Sequence, residues 1–132
     1  MEELESAVSV RYPEMRTQVF SAVSALADRE YQQRVWIDQI YPHENYYDDL
    51  DLNIHILYDD ALVLPDPTAT LGQILANRTE VDTFRLLAER LDPIIDELGD
   101  SPDSGYLAHP GWPSVVDAAK SAREVMRSTG DL

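Results

Sequence analysis

Apolar residues recur along much of this chain at steps of three and four, the spacing that aligns side chains on one face of an α-helix. Val19, Ala22, Val23 and Leu26 make one such stripe, with Met15 a turn earlier. Pro13 suits a first helical turn, where its missing N–H is not needed, so a helix is predicted over roughly 13–27. Asp28 is placed to cap a second helix with a stripe of Tyr31, Val35, Trp36 and Ile40. Tyr41-Pro42 should stop it, because a residue before proline avoids the helical conformation. The clearest stripe is Val81, Phe84, Ala88, Leu91, Ile95 and Leu98. Asn77 can cap it with Glu80 at the reciprocal position, and Gly99 supplies the stop. Pro93 falls inside this stripe and removes one internal hydrogen bond, which predicts a bend near 89–93. DSPDSGYLAHPG reads as a loop by composition; Pro113 then opens a last helix with Trp112, Val115, Val116, Ala119 and Met126 on one side, up to Gly130.

The middle of the chain fits two periods. Leu50, Leu52, Ile54 and Ile56 alternate as in a half-buried strand, while Leu50, Ile54, Leu57, Tyr58 and Ala61 form a helical stripe. Helix is favoured over 46–60, since Asp48 and Asp49 suit the positive start of a helix and no second strong strand is at hand. A short strand pair around 48–64 is the alternative. LVLPDP is extended or turn, TLGQILA is a short apolar piece, and residues 1–11 form a frayed end or a short helix laid on the body. The expectation is an all-α fold, a compact single domain of five to six helices within 132 residues.

Charge changes this picture most. The net charge is −15, and between Arg34 and Arg78 there is no Lys or Arg, although Asp38, Glu44, Asp48, Asp49, Asp51, Asp59, Asp60 and Asp66 all fall there. A second acidic stretch between Arg90 and Lys120 holds Asp92, Asp96, Glu97, Asp100, Asp103 and Asp117, and the two are candidates to merge in space. Such a field repels phosphate backbones, so nucleic acid is not expected as a direct partner. The absence of cysteine excludes disulfides, zinc-thiolate sites and thiol nucleophiles. The opening MEELESAVSV resembles no signal or transit peptide, and no run is long enough to cross a bilayer, so a cytoplasmic protein without a membrane partner is expected.

Asp51, His55 and Asp59 lie four apart and share a helical face, a pattern suited to a divalent metal or a general base. The plainer reading is a surface histidine between carboxylates, since no second histidine motif completes a coordination set; no metal or cofactor is assigned. His43 and Glu44 precede Tyr46, Tyr47, Asp48 and Asp49, a mixture of rings and acids suited to gripping a basic, partly apolar partner surface. The plainer alternative there is one inward tyrosine at an ordinary polar helix entry. The candidate partner-binding set is therefore His43, Glu44, Tyr46, Tyr47, Asp48, Asp49, Asp51, His55, Asp59 and Asp60. Trp36 and Trp112 belong to the core stripes. GxGxxG, GxxxxGK followed by Ser or Thr, HExxH and GxSxG are all missing, and DDLDLNIHILYDD lacks the glycine and final glutamate of an EF-hand loop, so no catalytic residue is assigned.

Taken in order, YPHENYYDDLDLNIHILYDD, LPDPTATLGQIL, LDPIIDELGD and YLAHPGWPSVVDAAKSA resemble a family of small acidic proteins of actinobacteria, over roughly residues 11–127. More distantly, the acidic DDLD start, the IH pair, the DD end and a final W-x-x-V-x-x-A helix resemble immunity proteins of contact-dependent growth inhibition and related toxin systems. The second resemblance implies a protein that neutralises a cognate toxin and has no catalytic residues of its own. A toxin that cuts nucleic acid must attract phosphates and is therefore basic, which an acidic inhibitor matches. Two other readings are carried beside it. One is a small regulatory or structural domain that self-associates, as in a homodimer; the other is a metal-dependent enzyme using Asp51, His55 and Asp59.

Overall fold

Six helices and no strand make up the described residues, 10–132, of this computed structural model, so the fold is all-α as expected. The expectation for the first nine residues lies outside the described ones. Helix α1 spans Pro13–Leu26. Helix α2 begins at Arg29–Tyr31 and runs on as a wider π-helical stretch over Gln32–Ile37. Helix α3 covers Leu50–His55 and likewise widens over Ile56–Asp60. Then follow a 3₁₀ turn at Thr68–Thr70, the long α4 at Arg78–Leu98, the short α5 at Asp103–Leu107 and α6 at Trp112–Thr129.

The amphipathic stripes explain the packing. Helix α6 packs against both α1 and α4, and buries Trp112, Val115, Val116, Ala119, Ala122 and Met126. Val19, Ala22, Val23 and Leu26 meet it from α1, and Val81, Phe84, Leu87 and Leu91 from α4. Small residues on α6, Ala118, Ala119 and Ala122, take little space in this core. Gln32 is the one buried amide near the end of α1. Its Nε2 donates to the Ala25 and Leu26 carbonyls at 2.8 and 3.0 Å, and its Oε1 accepts from Trp112 Nε1 at 2.9 Å. It thereby satisfies carbonyls left free at a helix end and ties the start of α6 to α2.

A buried ion pair closes the opposite end. Arg16 and Glu80 are both 0% exposed and pair through two parallel hydrogen bonds of 2.7 and 2.8 Å. Arg16 also donates to the carbonyls of Ile74 and Gly130, while Glu80 accepts from the Ala76 N–H at 2.9 Å. Asn77 caps α4 by accepting from the Glu80 N–H, but the reciprocal bond goes to Ala76 rather than to Asn77. Burial alone would raise the Glu80 carboxyl; the Arg16 guanidinium and the Ala76 N–H outweigh it and hold the group below its ordinary value.

Four local expectations need correction. Helix α2 stops at Ile37, short of Tyr41-Pro42, and the chain leaves it through Gln39 at φ 56°. The π turn, with Asp38 N–H bonded to the Gln33 carbonyl at 2.9 Å, shifts the helical face, so Val35 and Trp36 point inward while Ile40 is 59% exposed. Helix α3 starts at Leu50 rather than near 46, because Asp49 caps it by accepting from the Leu52 N–H at 2.8 Å. Helix α4 runs unbroken through Pro93; both Pro93 and Glu89, whose carbonyl loses its partner, are on the exposed face. The stretch read as a loop contains α5, ordered by Tyr106, which is buried and donates from its hydroxyl to the Gly99 carbonyl at 2.6 Å.

Candidate functional site

The segment between α2 and α3 carries His43, Glu44, Tyr46, Tyr47, Asp48 and Asp49 on irregular backbone, which lets neighbouring rings meet, while Asp51, His55, Asp59 and Asp60 lie on α3 itself. The ring of Tyr41 lies 6.3 Å from that of Tyr46 and 5.9 Å from that of Tyr47, and His43 stands edge-on to Tyr46 at 5.6 Å. His43 and Glu44 are exposed, and Tyr47 is 59% exposed. Tyr47 donates to Asp49 Oδ2 at 2.5 Å, and that bond raises its hydroxyl to about 12. Tyr46 is half-buried, and its hydroxyl lies 2.5 Å from that of Tyr31 on α2.

Asp48 turns inward. Its Oδ2 accepts from Tyr31 at 2.7 Å and from Trp36 Nε1 at 2.9 Å, and its Oδ1 accepts from Asn53 Nδ2 at 3.0 Å. A carboxylate is the one side chain that accepts three such donors at once, so Asp48 fastens the aromatic segment to α2 and α3. Tyr31 is raised above its ordinary value, by burial first and then by its bonds to Tyr46 and Asp48. Asp48→Ala should cost about 2 kcal/mol in a urea titration, since it strands partly buried donors. A loss indistinguishable from zero would show that the hub adds nothing.

The two acidic stretches meet at the start of α3. Asp103, in the first turn of α5, accepts from the Leu50 N–H at 3.1 Å. Burial raises its carboxyl, the Leu50 bond opposes, and Asp49, Asp51 and Asp48 raise it further. Asp51, Asp100 and Asp103 line one pocket together with Tyr106, at the same corner. Farther along, Tyr58 of α3 donates to Asp92 of α4. Among the described residues, the carboxylates that pair with Arg belong to Glu80, Asp82 and Glu124; those of Asp48, Asp49, Asp51, Asp59, Asp60, Asp100 and Asp103 have no Lys or Arg within 4.0 Å. The result is a negative face with exposed rings at its edge. Asp100, Asp103, Tyr31 and Tyr41 were not among the candidates. The second acidic stretch was the available signal for the first two, and nothing in the sequence distinguished the tyrosines from core residues.

Asp51, His55 and Asp59 share a face of α3, as the spacing predicts. Each ring nitrogen of His55 faces its own carboxylate: Nδ1 lies 2.5 Å from Asp59 Oδ2, and Nε2 lies 3.5 Å from Asp51 Oδ2. The two carboxylates therefore clasp the ring from two sides instead of converging with it on one point, and among the described residues no group of three or more such side chains is arranged to hold a metal ion. The Asp59 bond, with the Asp51 charge after it, raises His55 above 6.5. Its stabilising charge is thus fully present below that value and is lost as pH rises through the raised one. An NMR titration should find the imidazole above 6.5, and Asp59→Asn should lower it more than Asp51→Asn does. A wild-type value at or below 6.5 would contradict the clasp.

Residues 10–131 match the family described as a domain of unknown function (DUF7945). The chain belongs to this family. No curated protein and no solved structure matches the chain. Within this DUF7945 domain, no helix among the described residues is long and apolar enough to cross a membrane.

Proposed function

We propose that this DUF7945 protein is an immunity-type inhibitor: it binds a basic toxin, such as a nuclease, through its acidic, ring-edged face and catalyses nothing itself. The observation that carries this reading is the meeting of both acidic stretches at the start of α3. Their carboxylates have no Lys or Arg partner among the described residues, and the exposed Tyr47 borders the same pocket as Asp49 and Asp103. Unpaired like charges at one corner oppose folding, and a basic partner turns that cost into attraction. Exposed tyrosines add contact area with little rotamer entropy to lose. The resemblance to toxin-neutralising proteins in the DDLD, IH and DD elements points the same way.

The test is co-expression with a basic toxin encoded beside it, read as restored growth, together with binding of the purified pair. Raising salt from about 0.1 M, where the Debye length is ~10 Å, to about 1 M, where it is ~3 Å, should weaken association strongly. Binding that is insensitive to salt, or growth that is not restored, counts against the reading.

A further inference from the structure

Beside the acidic face lies a cavity of different construction. It opens between the later turns of α1, the start of α2 and the first turns of α3, and measures about 440 Å³, within the roughly 300–1,000 Å³ usual for ligand sites. Phe20, Tyr31, Tyr46 and Tyr47 supply aromatic walls, Asp28 and Asp48 supply carboxylates, and no Lys or Arg lines it.

Its polar atoms are arranged to accept. Ser24 lines the cavity, and its Oγ, covered from solvent, has no hydrogen-bond partner among the described residues and is free to turn a lone pair toward a donor. Each tyrosine hydroxyl has a single proton. Tyr31 gives its proton to Asp48, so in the 2.5 Å contact it accepts from Tyr46. Asn53 spends its amide hydrogens on Asp48 and on the Asp49 carbonyl, which leaves its own carbonyl oxygen free to accept. Asp48 Oδ1 takes only the Asn53 donor and keeps an open lone pair. Aromatic walls, surplus acceptors and negative charge complement a flat cation rich in donors.

We infer that this cavity receives an arginine side chain of the basic partner, an inference that rests on the inhibitor reading above. A guanidinium stacks on rings and carries five donors in one plane, whereas an ammonium is a compact, strongly hydrated point charge that uses ring faces less well. The relay from Tyr46 through Tyr31 to Asp48 holds the wall in place before the side chain enters, which lowers the ordering cost of binding.

The experiment titrates the full chain with N-acetyl-arginine methylamide and follows its amide and aromatic NMR signals, with the citrulline and lysine analogues as comparisons. Saturable shifts should appear at Ser24, Tyr31, Tyr46 and Asn53, with the arginine probe at least about tenfold tighter than the neutral citrulline isostere. Ser24→Leu, which fills the cavity, should abolish these shifts; Tyr47→Ala, which removes an exposed wall of the cavity and leaves the core untouched, should weaken binding of the arginine probe, and unchanged binding in that variant counts against the inference. Equal shifts with citrulline or lysine, shifts spread over the whole acidic surface, or no shifts at all overturn the inference. A basic partner that binds Ser24→Leu as well as it binds the parent also overturns it, while leaving the inhibitor reading standing. Saturable binding of the arginine probe by a chain that binds no basic toxin would keep the guanidinium site and overturn the inhibitor reading, and with it the toxin as the source of the arginine.

Discussion

Glu80→Ala should destabilise the domain by about 3–5 kcal/mol, because it leaves the guanidinium of Arg16 buried and uncompensated. Ordinary domains are stable by only about 5–15 kcal/mol, so the loss is large enough to read directly from a shifted urea midpoint. The geometry supports the upper part of the range, since both side chains are 0% exposed and the pair has two parallel bonds of 2.7 and 2.8 Å. Glu80 also accepts from Ala76, and Arg16 holds the carbonyls of Ile74 and Gly130, so the pair joins α1, the approach to α4 and the end of α6. The combined change Arg16→Met with Glu80→Leu should cost less than the two single changes added together, because no charge is then left unpaired. Acid gives a second readout. Glu80 is held below its ordinary value when folded, so its contribution is complete above about pH 4.5 and falls away as pH drops through the lowered value. That part of the acid response should vanish in the double variant. A single variant within about 0.5 kcal/mol of the parent, the range of ordinary surface changes, contradicts this account of the pair.

Much of the fold was legible because long amphipathic helices announce themselves. Val81 through Leu98 and Trp112 through Met126 fall where their periodicity puts them, with Gly99 at φ 51° and Gly130 at φ 96° as the stops. What was not legible depends on contacts between distant parts of the chain. Arg16 and Glu80 look like surface residues of two separate helices, and only the packing of α1 beside the start of α4 buries them together. The π turns of α2 and α3 leave no periodic signal, yet they decide that Trp36 faces Asp48 and that Ile40 faces outward. Helix α5 is too short for periodicity to reveal, and the burial of Tyr106 holds it. The candidate site divides in the same way. Its charge was visible in composition, and Asp51, His55 and Asp59 do share a face. The inward turn of Asp48 and the arrival of Asp103 at Leu50 are tertiary facts.

Neutralising the acidic face should weaken partner binding on the order of 100-fold at low salt, if three carboxylates contribute about 1 kcal/mol each. Asp51, Asp59 and Asp100 suit this test because they are exposed and cap no helix, unlike Asp49, and anchor no buried donors, unlike Asp48. Total charge alone also attracts a basic protein, so the comparison needs a control with the same net charge. Asp82→Asn, Asp117→Asn and Glu124→Gln remove three exposed carboxylates from α4 and α6, away from the start of α3. The decisive measurement is the affinity of both triple variants for one basic toxin at one low salt concentration. The account predicts that Asp51→Asn, Asp59→Asn and Asp100→Asn together lose nearly all of the binding while the control stays within about threefold of the parent. Equal losses in the two variants would contradict it, because binding would then follow net charge and not this face.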